Sequence, residues 1–123
     1  MRQYATEKGT TALLKDDSVD MEGTDPSAVD PIIDAAAPIY GRLGYELIIT
    51  SAADGTHSEG SHHRDRNTPA DGGWALDLRC SEDWGYSRED RHTIAEALRA
   101  KLGHAYDIVL HSTHLHVERD VTG

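Results

Sequence analysis

Two short stretches of the chain concentrate the side chains best suited to chemistry. The stretch "HSTHLHVE" at 111–118 contains three histidines and "HSEGSHH" at 57–63 contains three more, out of eight in the whole chain. Imidazole nitrogens are common metal ligands, and their ordinary pKa of about 6.5 lets them carry protons near neutral pH. The pattern therefore predicts a metal site or acid-base chemistry built from two separate parts of the chain.

The C-terminal histidines fall on a predicted strand, "HLHVER" at 114–119. Because side chains alternate along a strand, His114, His116 and Glu118 share one face, and the intervening apolar residues share the other. The apolar face is expected to pack on helices, which leaves the histidine face open.

A second predicted strand, "WALDLR" at 74–79, alternates in the same way and puts Asp77 opposite its large apolar residues. If the two strands share a sheet, Asp77 and His116 project into one cleft. A histidine from the glycine-rich segment 53–73 would complete three nitrogen and oxygen ligands, as in an open catalytic zinc site that keeps a position for water.

The remaining elements must position these residues. Apolar residues at spacings of three and four predict an amphipathic helix at 26–43, which Pro38 is expected to kink or split. Further along the chain we expect a strand at 45–52, a long loop at 53–73, a helix capped by Ser87 and ending before Gly103, and strands 106–111 and 114–119 joined as a hairpin by Ser112 and Thr113.

The first 25 residues differ in composition from the rest of the chain. Gly, Thr, Asp and Glu dominate them, and the one apolar patch is Ala12 to Leu14. Such a segment cannot bury enough apolar surface to fold alone. We therefore expect an extended polar arm at 1–25, either free or ordered against a partner, followed by a single domain at 26–123.

Composition excludes several classes of function. A length of 123 residues supports one core, and 22 acidic against 12 basic residues give a formal charge of -10, which disfavours nucleic acid and anionic membranes as partners. The single Cys80 excludes an internal disulfide framework. No apolar run reaches the roughly 20 residues needed to span a bilayer.

Three segments in order resemble a known family. "HSEGSHH", "GWALDLR" and "HLHVE" are similar to the "S-x-H", "G-x-A-x-D" and "H-x-H" segments of M15-type zinc D-alanyl-D-alanine peptidases and the related Hedgehog domains. The resemblance runs from about residue 28 to the end and is nearest to short bacteriophage members. It implies an α+β fold, Hedgehog and DD-peptidase-like, in which helices back a small antiparallel sheet and a zinc cleft lies on the sheet's open face.

The resemblance also implies roles for individual residues. Zinc (Zn2+) would be held by His63, Asp77 and His116, and the non-ligand histidines that line such sites correspond to His114 and His57. The polar stretch between His63 and Asp77 is longer than in the family pattern. That departure leaves open whether His62 or His63 is the ligand.

A second departure concerns the proton carrier. His111 stands where phage relatives have a glutamate that acts as general base. An imidazole can take a proton from water and return it to the leaving amine, with His114 as a relay, or it can mark a site that has lost catalysis. His57 or Arg79 would bind the substrate carboxylate or the developing oxyanion.

The implied function is a phage-encoded zinc peptidase that hydrolyses peptidoglycan stem peptides at a D-Ala-D-Ala or neighbouring bond. The alternative is a catalytically impaired, metal-stabilised component of a phage particle, which docks on other virion proteins through residues 1–25. The N-terminal residues lack the apolar core of a signal peptide, so we expect synthesis in a bacterial cytoplasm, with association to the virion or release to the wall on lysis.

Overall fold

The computed structural model describes residues 2–52 and 74–119. The loop predicted at 53–73, with His57, His62 and His63, lies outside these residues. The described part has an α+β fold with a six-stranded sheet and two helices. Its strands are β1 (Gln3–Ala5), β2 (Thr11–Leu14), β3 (Ile48–Ser51), β4 (Ala75–Arg79), β5 (Tyr106–Leu110) and β6 (His114–Arg119), and its helices are α1 (Pro26–Arg42) and α2 (Arg88–Leu102).

The N-terminal segment differs from the polar arm expected at 1–25. It contributes β1 and β2, which pair with each other, and β2 also pairs with β3, so the sheet order is β1-β2-β3-β4-β6-β5. Leu14 is 2% exposed, and Val19 is fully buried. The segment cannot bury enough surface alone, but it shares the core formed by the rest of the chain.

The same strands make the sheet mixed where an antiparallel sheet was expected. β2 and β3 are parallel neighbours, and α1 forms the connection between them, as parallel strands require a crossover. The other neighbouring pairs described, including β3 with β4 and β4 with β6, are antiparallel. The resemblance implied an antiparallel sheet, and the structure has this arrangement among the strands after residue 45 but not between β2 and β3.

Helix α1 is continuous through Pro38, where we expected a kink or a split. The helix begins at Pro26 behind the cap residue Asp25, whose side chain accepts from the Ser27 amide at 3.0 Å. Proline removes one backbone hydrogen bond, but the residues that follow Pro38 are held by packing. Tyr40 is fully buried, and its hydroxyl donates to the Arg79 carbonyl at 2.9 Å.

The second helix and the final hairpin are confirmed. Ser87 caps α2 by accepting from the Asp90 amide at 3.0 Å, and the helix ends at Leu102 before Gly103. Strands β5 and β6 are antiparallel, and the His111 amide donates to the His114 carbonyl at 2.9 Å to close the turn between them. None of the described helices is long and apolar enough to cross a membrane.

Helices α1 and α2 pack against one face of the sheet and against each other. Alternation sends the large apolar side chains of the strands to that face, where they form the core with the apolar stripes of the helices. The polar side chains of β4 and β6 are thereby placed on the opposite face. The fully buried core members from the sheet and helices include Ile49, Leu76, Leu78, Leu115, Val117, Ile32, Ile33, Ile94 and Leu98.

Candidate functional site

Asp77 and His116 form the centre of the candidate site. They lie directly opposite each other on the antiparallel strands β4 and β6, as the alternation of both strands predicted. The His116 Nδ1 atom is 2.8 Å from Asp77 Oδ1, and the two side chains are 15% and 16% exposed. A carboxylate and an imidazole are therefore held in contact on the face of the sheet opposite the helices.

Glu118, on β6, is the third side chain in a row that begins with Asp77 on β4 and continues through His116. Its Oε1 atom is 2.7 Å from His116 Nε2, so the imidazole lies between two carboxylates. Burial lowers the pKa of His116, but the hydrogen bonds to Asp77 and Glu118 and their charges outweigh burial and raise the pKa from 6.5 to about 9. Both ring nitrogens face acceptors, which is the arrangement of an imidazolium.

Two further histidines lie beside this pair, where the sequence predicted the catalytic residues. The His111 and His114 rings are 4.8 Å apart between centroids at an interplanar angle of 31°, and the His111 and His116 rings are 6.4 Å apart. The His114 Nε2 atom is 3.8 Å from Asp77 Oδ1, and Nδ1 is 3.0 Å from the Thr113 hydroxyl. The hairpin thus brings three imidazoles together, and two of them, His114 and His116, lie within 4 Å of the Asp77 carboxylate.

Arg79 lies at the end of β4, two residues from Asp77 on the same face and opposite His114 on β6. Its guanidinium carbon is 4.1 Å from the centre of the Trp84 ring, which is 64% exposed in a 3-10 turn after the strand. A cation over an aromatic face is attracted by the ring quadrupole. Trp84 was not singled out from the sequence. The one signal in the sequence is an aromatic residue in a polar stretch shortly after Arg79.

The described residues include part of the predicted site. Asp77, His111, His114 and His116 are brought together, and Arg79 borders them. The other predicted ligand and substrate residues, His63 and His57, lie outside the described part of the chain, as does the alternative ligand His62.

The chemistry of the donors suits zinc, although the described ligands alone do not complete a site. Within 2–52 and 74–119, no group of three or more His, Cys, Asp or Glu side chains could hold a metal ion. The 2.8 Å between Asp77 Oδ1 and His116 Nδ1 is close to the roughly 3.3 Å that separates two ligands of a tetrahedral zinc with bonds of about 2.0 Å. A small separation of the two side chains would admit the ion, and Glu118 would then orient the ligating imidazole from its far nitrogen.

No protein-family model, curated protein or solved structure matches this chain.

Proposed function

We propose that this protein is a zinc-dependent peptidase, phage-encoded and of the Hedgehog and DD-peptidase-like fold, that hydrolyses stem peptides of peptidoglycan at a D-Ala-D-Ala or neighbouring bond. The observation that carries the proposal is the Asp77–His116 contact on the face of the sheet opposite the helices, with two more imidazoles beside it. The choice of substrate is supported by the three ordered sequence segments that resemble M15-type peptidases.

In this proposal Asp77, His116 and His63 hold the metal. The chemistry that zinc supplies when bound is Lewis-acid polarisation of the scissile carbonyl and activation of water. His116 is charged in the metal-free protein because its pKa is raised to about 9, so metal binding must displace a proton from it. Glu118 accepts from the other ring nitrogen and keeps the imidazole in one orientation.

His111 is the proposed proton carrier. It would take a proton from the attacking water and return it to the leaving amine, which restores its starting charge. The His114 ring is 4.8 Å from the His111 ring between centroids, and its Nε2 atom is 3.8 Å from Asp77 Oδ1. His114 therefore lies between His111 and the centre of the site, where the proposed relay requires it. The Thr113 hydroxyl holds the opposite nitrogen of His114.

Arg79 supplies positive charge for the substrate. By strand alternation its guanidinium lies on the same face as Asp77 and next to His114. In a chain of formal charge -10 this local cation directs an anionic group of the substrate to the end of the site next to His114. His57 is the second proposed substrate residue.

The alternative function, a metal-stabilised component of a phage particle, is favoured by one observation: His111 stands in place of the expected glutamate. Docking through residues 1–25 would then use β1, which is an edge strand of the sheet that the described residues form. This function requires co-assembly with other virion proteins and no hydrolysis.

Digestion of purified peptidoglycan by the zinc-loaded protein, followed by mass spectrometry of the released fragments, tests the proposal. Asp77→Ala should abolish the release of fragments. Asp107→Ala is the matched control, because Asp107 lies on the same face opposite Glu118 but is exposed, and it should leave the fragments unchanged. Fragments that persist in Asp77→Ala would refute the proposed site. If the wild-type protein holds zinc but releases no fragments, the peptidase proposal fails and the alternative function, a component of a phage particle, is favoured.

A further inference from the structure

Arg91 is a buried cation on the helix side of the sheet, close to the turn that carries His111. Its side chain is 9% exposed, although arginine is rarely buried unless it is paired. It lies in the first turns of α2, behind the cap residue Ser87. A buried guanidinium needs partners for its donors, and those partners show what the residue connects.

The guanidinium of Arg91 joins three separate segments. Its Nε donates to the carbonyl of Cys80, which follows β4, and its Nη2 donates to the carbonyl of His111, which follows β5. Its Nη1 atom is 3.6 Å from a carboxylate oxygen of Glu82 in the 3-10 turn. The fork of donors therefore ties the end of the Asp77 strand to the turn of the final hairpin.

Both backbone groups of His111 are consequently held. The carbonyl accepts from Arg91, and the amide donates to the His114 carbonyl at 2.9 Å. With the backbone fixed on both sides, the His111 ring lies over the His114 ring at 4.8 Å. His111 itself is exposed, so these contacts and not burial define its position.

We propose that Arg91 is a positioning residue that fixes the backbone of His111 and so holds the His111 ring against the His114 ring, beside Asp77 and His116. The effect of Arg91 on catalysis rests on the proposed function. The effect of Arg91 on the position of His111 rests on the contacts of Arg91 alone. Lysine keeps the charge but loses the planar fork, so it cannot hold two carbonyls in fixed directions. Arg91→Lys should therefore release the His111 turn.

Arg99 provides a matched control on the same helix. It donates from Nη2 to the Ile108 carbonyl at 3.1 Å and pairs with Glu96 at 3.2 Å, so it also links α2 to β5. Within the described part of the chain, Arg99 makes no hydrogen bond or ion pair with the turn at 111–113. Arg99→Lys changes the same chemistry on the same helix at a distance from the proposed site.

The test measures two properties of the full-length protein and its Arg91→Lys and Arg99→Lys variants. The first is the nuclear Overhauser effect between His111 and His114 ring protons in the metal-free protein, which needs no activity. The second is the pair of kinetic constants, kcat and KM measured separately, for cleavage of a peptide substrate with zinc added. We expect Arg91→Lys to lose the ring contact and to lower kcat by about ten-fold or more with KM little changed, and Arg99→Lys to keep both.

Retention of the ring contact in Arg91→Lys, or its equal loss in Arg99→Lys, would overturn the inference. If Arg91→Lys does not fold, the exchange of the Arg91 guanidinium protons with solvent is measured by NMR in the wild-type protein. We expect slow exchange because Nε and Nη2 donate to the Cys80 and His111 carbonyls, and fast exchange would overturn the inference. If the wild-type protein cleaves nothing, the proposed function fails, and the ring contact still decides the role of Arg91.

Discussion

Leu14→Ala is the sharpest test of how residues 1–25 belong to the fold. Leu14 is 2% exposed in the core, and it pairs with Ile49 across the parallel strands β2 and β3. Removal of a buried leucine side chain costs about 2–5 kcal/mol through lost apolar burial and the cavity that remains. We expect a loss of about 3 kcal/mol in the free energy of unfolding, which is roughly a hundred-fold in the folded to unfolded ratio.

The assay is urea unfolding monitored by circular dichroism. With a denaturant slope of about 1.5 kcal/mol per molar urea, the midpoint should fall by about 2 M. Leu13→Ala is the matched control, since Leu13 precedes Leu14 in β2, faces the other side and is half-buried, and its loss should stay below about 1 kcal/mol. Equal losses for the two variants would show that this segment is not packed as described.

Three further predictions concern the site and its surroundings. Trp84→Ala removes the ring beneath the Arg79 guanidinium and should raise KM about three-fold with kcat little changed. Trp84→Phe keeps an aromatic ring and should keep KM. An equal rise of KM in both variants would exclude a role for the aromatic face. Cys80 is fully buried, and burial raises the pKa of its thiol. Alkylation by iodoacetamide should therefore be slow in the native protein and fast in urea, and equal alkylation rates would contradict the burial of Cys80. In metal-free protein the raised pKa of His116 adds stability that is complete below about pH 6.5 and lost as pH rises through about 9. The difference in unfolding free energy between wild type and Asp77→Asn should therefore shrink from about pH 6 to about pH 10, and a constant difference would contradict the His116 pairing.

The centre of the site could be predicted from the sequence because it depends on local periodicity. Alternation along 74–79 and 114–119 placed Asp77 and His116 on one face, and the structure puts them opposite each other. The hairpin followed from two short strands separated by Ser112 and Thr113. In each case the signal lies within a few neighbouring residues.

The segment 1–25 could not be predicted because its structure depends on distant partners. The apolar patch around Leu14 is too short to indicate a buried strand until β3 and α1 provide the surface that it covers. Tyr4 and Asp30 show the same dependence, since the tyrosine hydroxyl donates to the carboxylate at 2.6 Å across 26 positions of sequence. Composition alone reports neither contact.

Arg91 was missed for a related reason. In the sequence it is a polar residue in the first turns of an amphipathic helix, which is typical of a solvent-exposed position. Its burial depends on how α2 packs beside the ends of β4 and β5, and those two strand ends are far apart in the chain. The positioning role became visible only with the tertiary contacts.

The most direct test of the central claim is a calorimetric titration of the metal-free protein with zinc. The wild type and the control Asp107→Asn should bind a single zinc per chain, because Asp107 is an exposed carboxylate outside the proposed ligand set. Asp77→Asn should bind zinc at least about 100-fold more weakly, because it loses a proposed ligand. Equal affinity of Asp77→Asn and the wild type, or no binding by the wild type, would contradict a zinc site at Asp77 and His116.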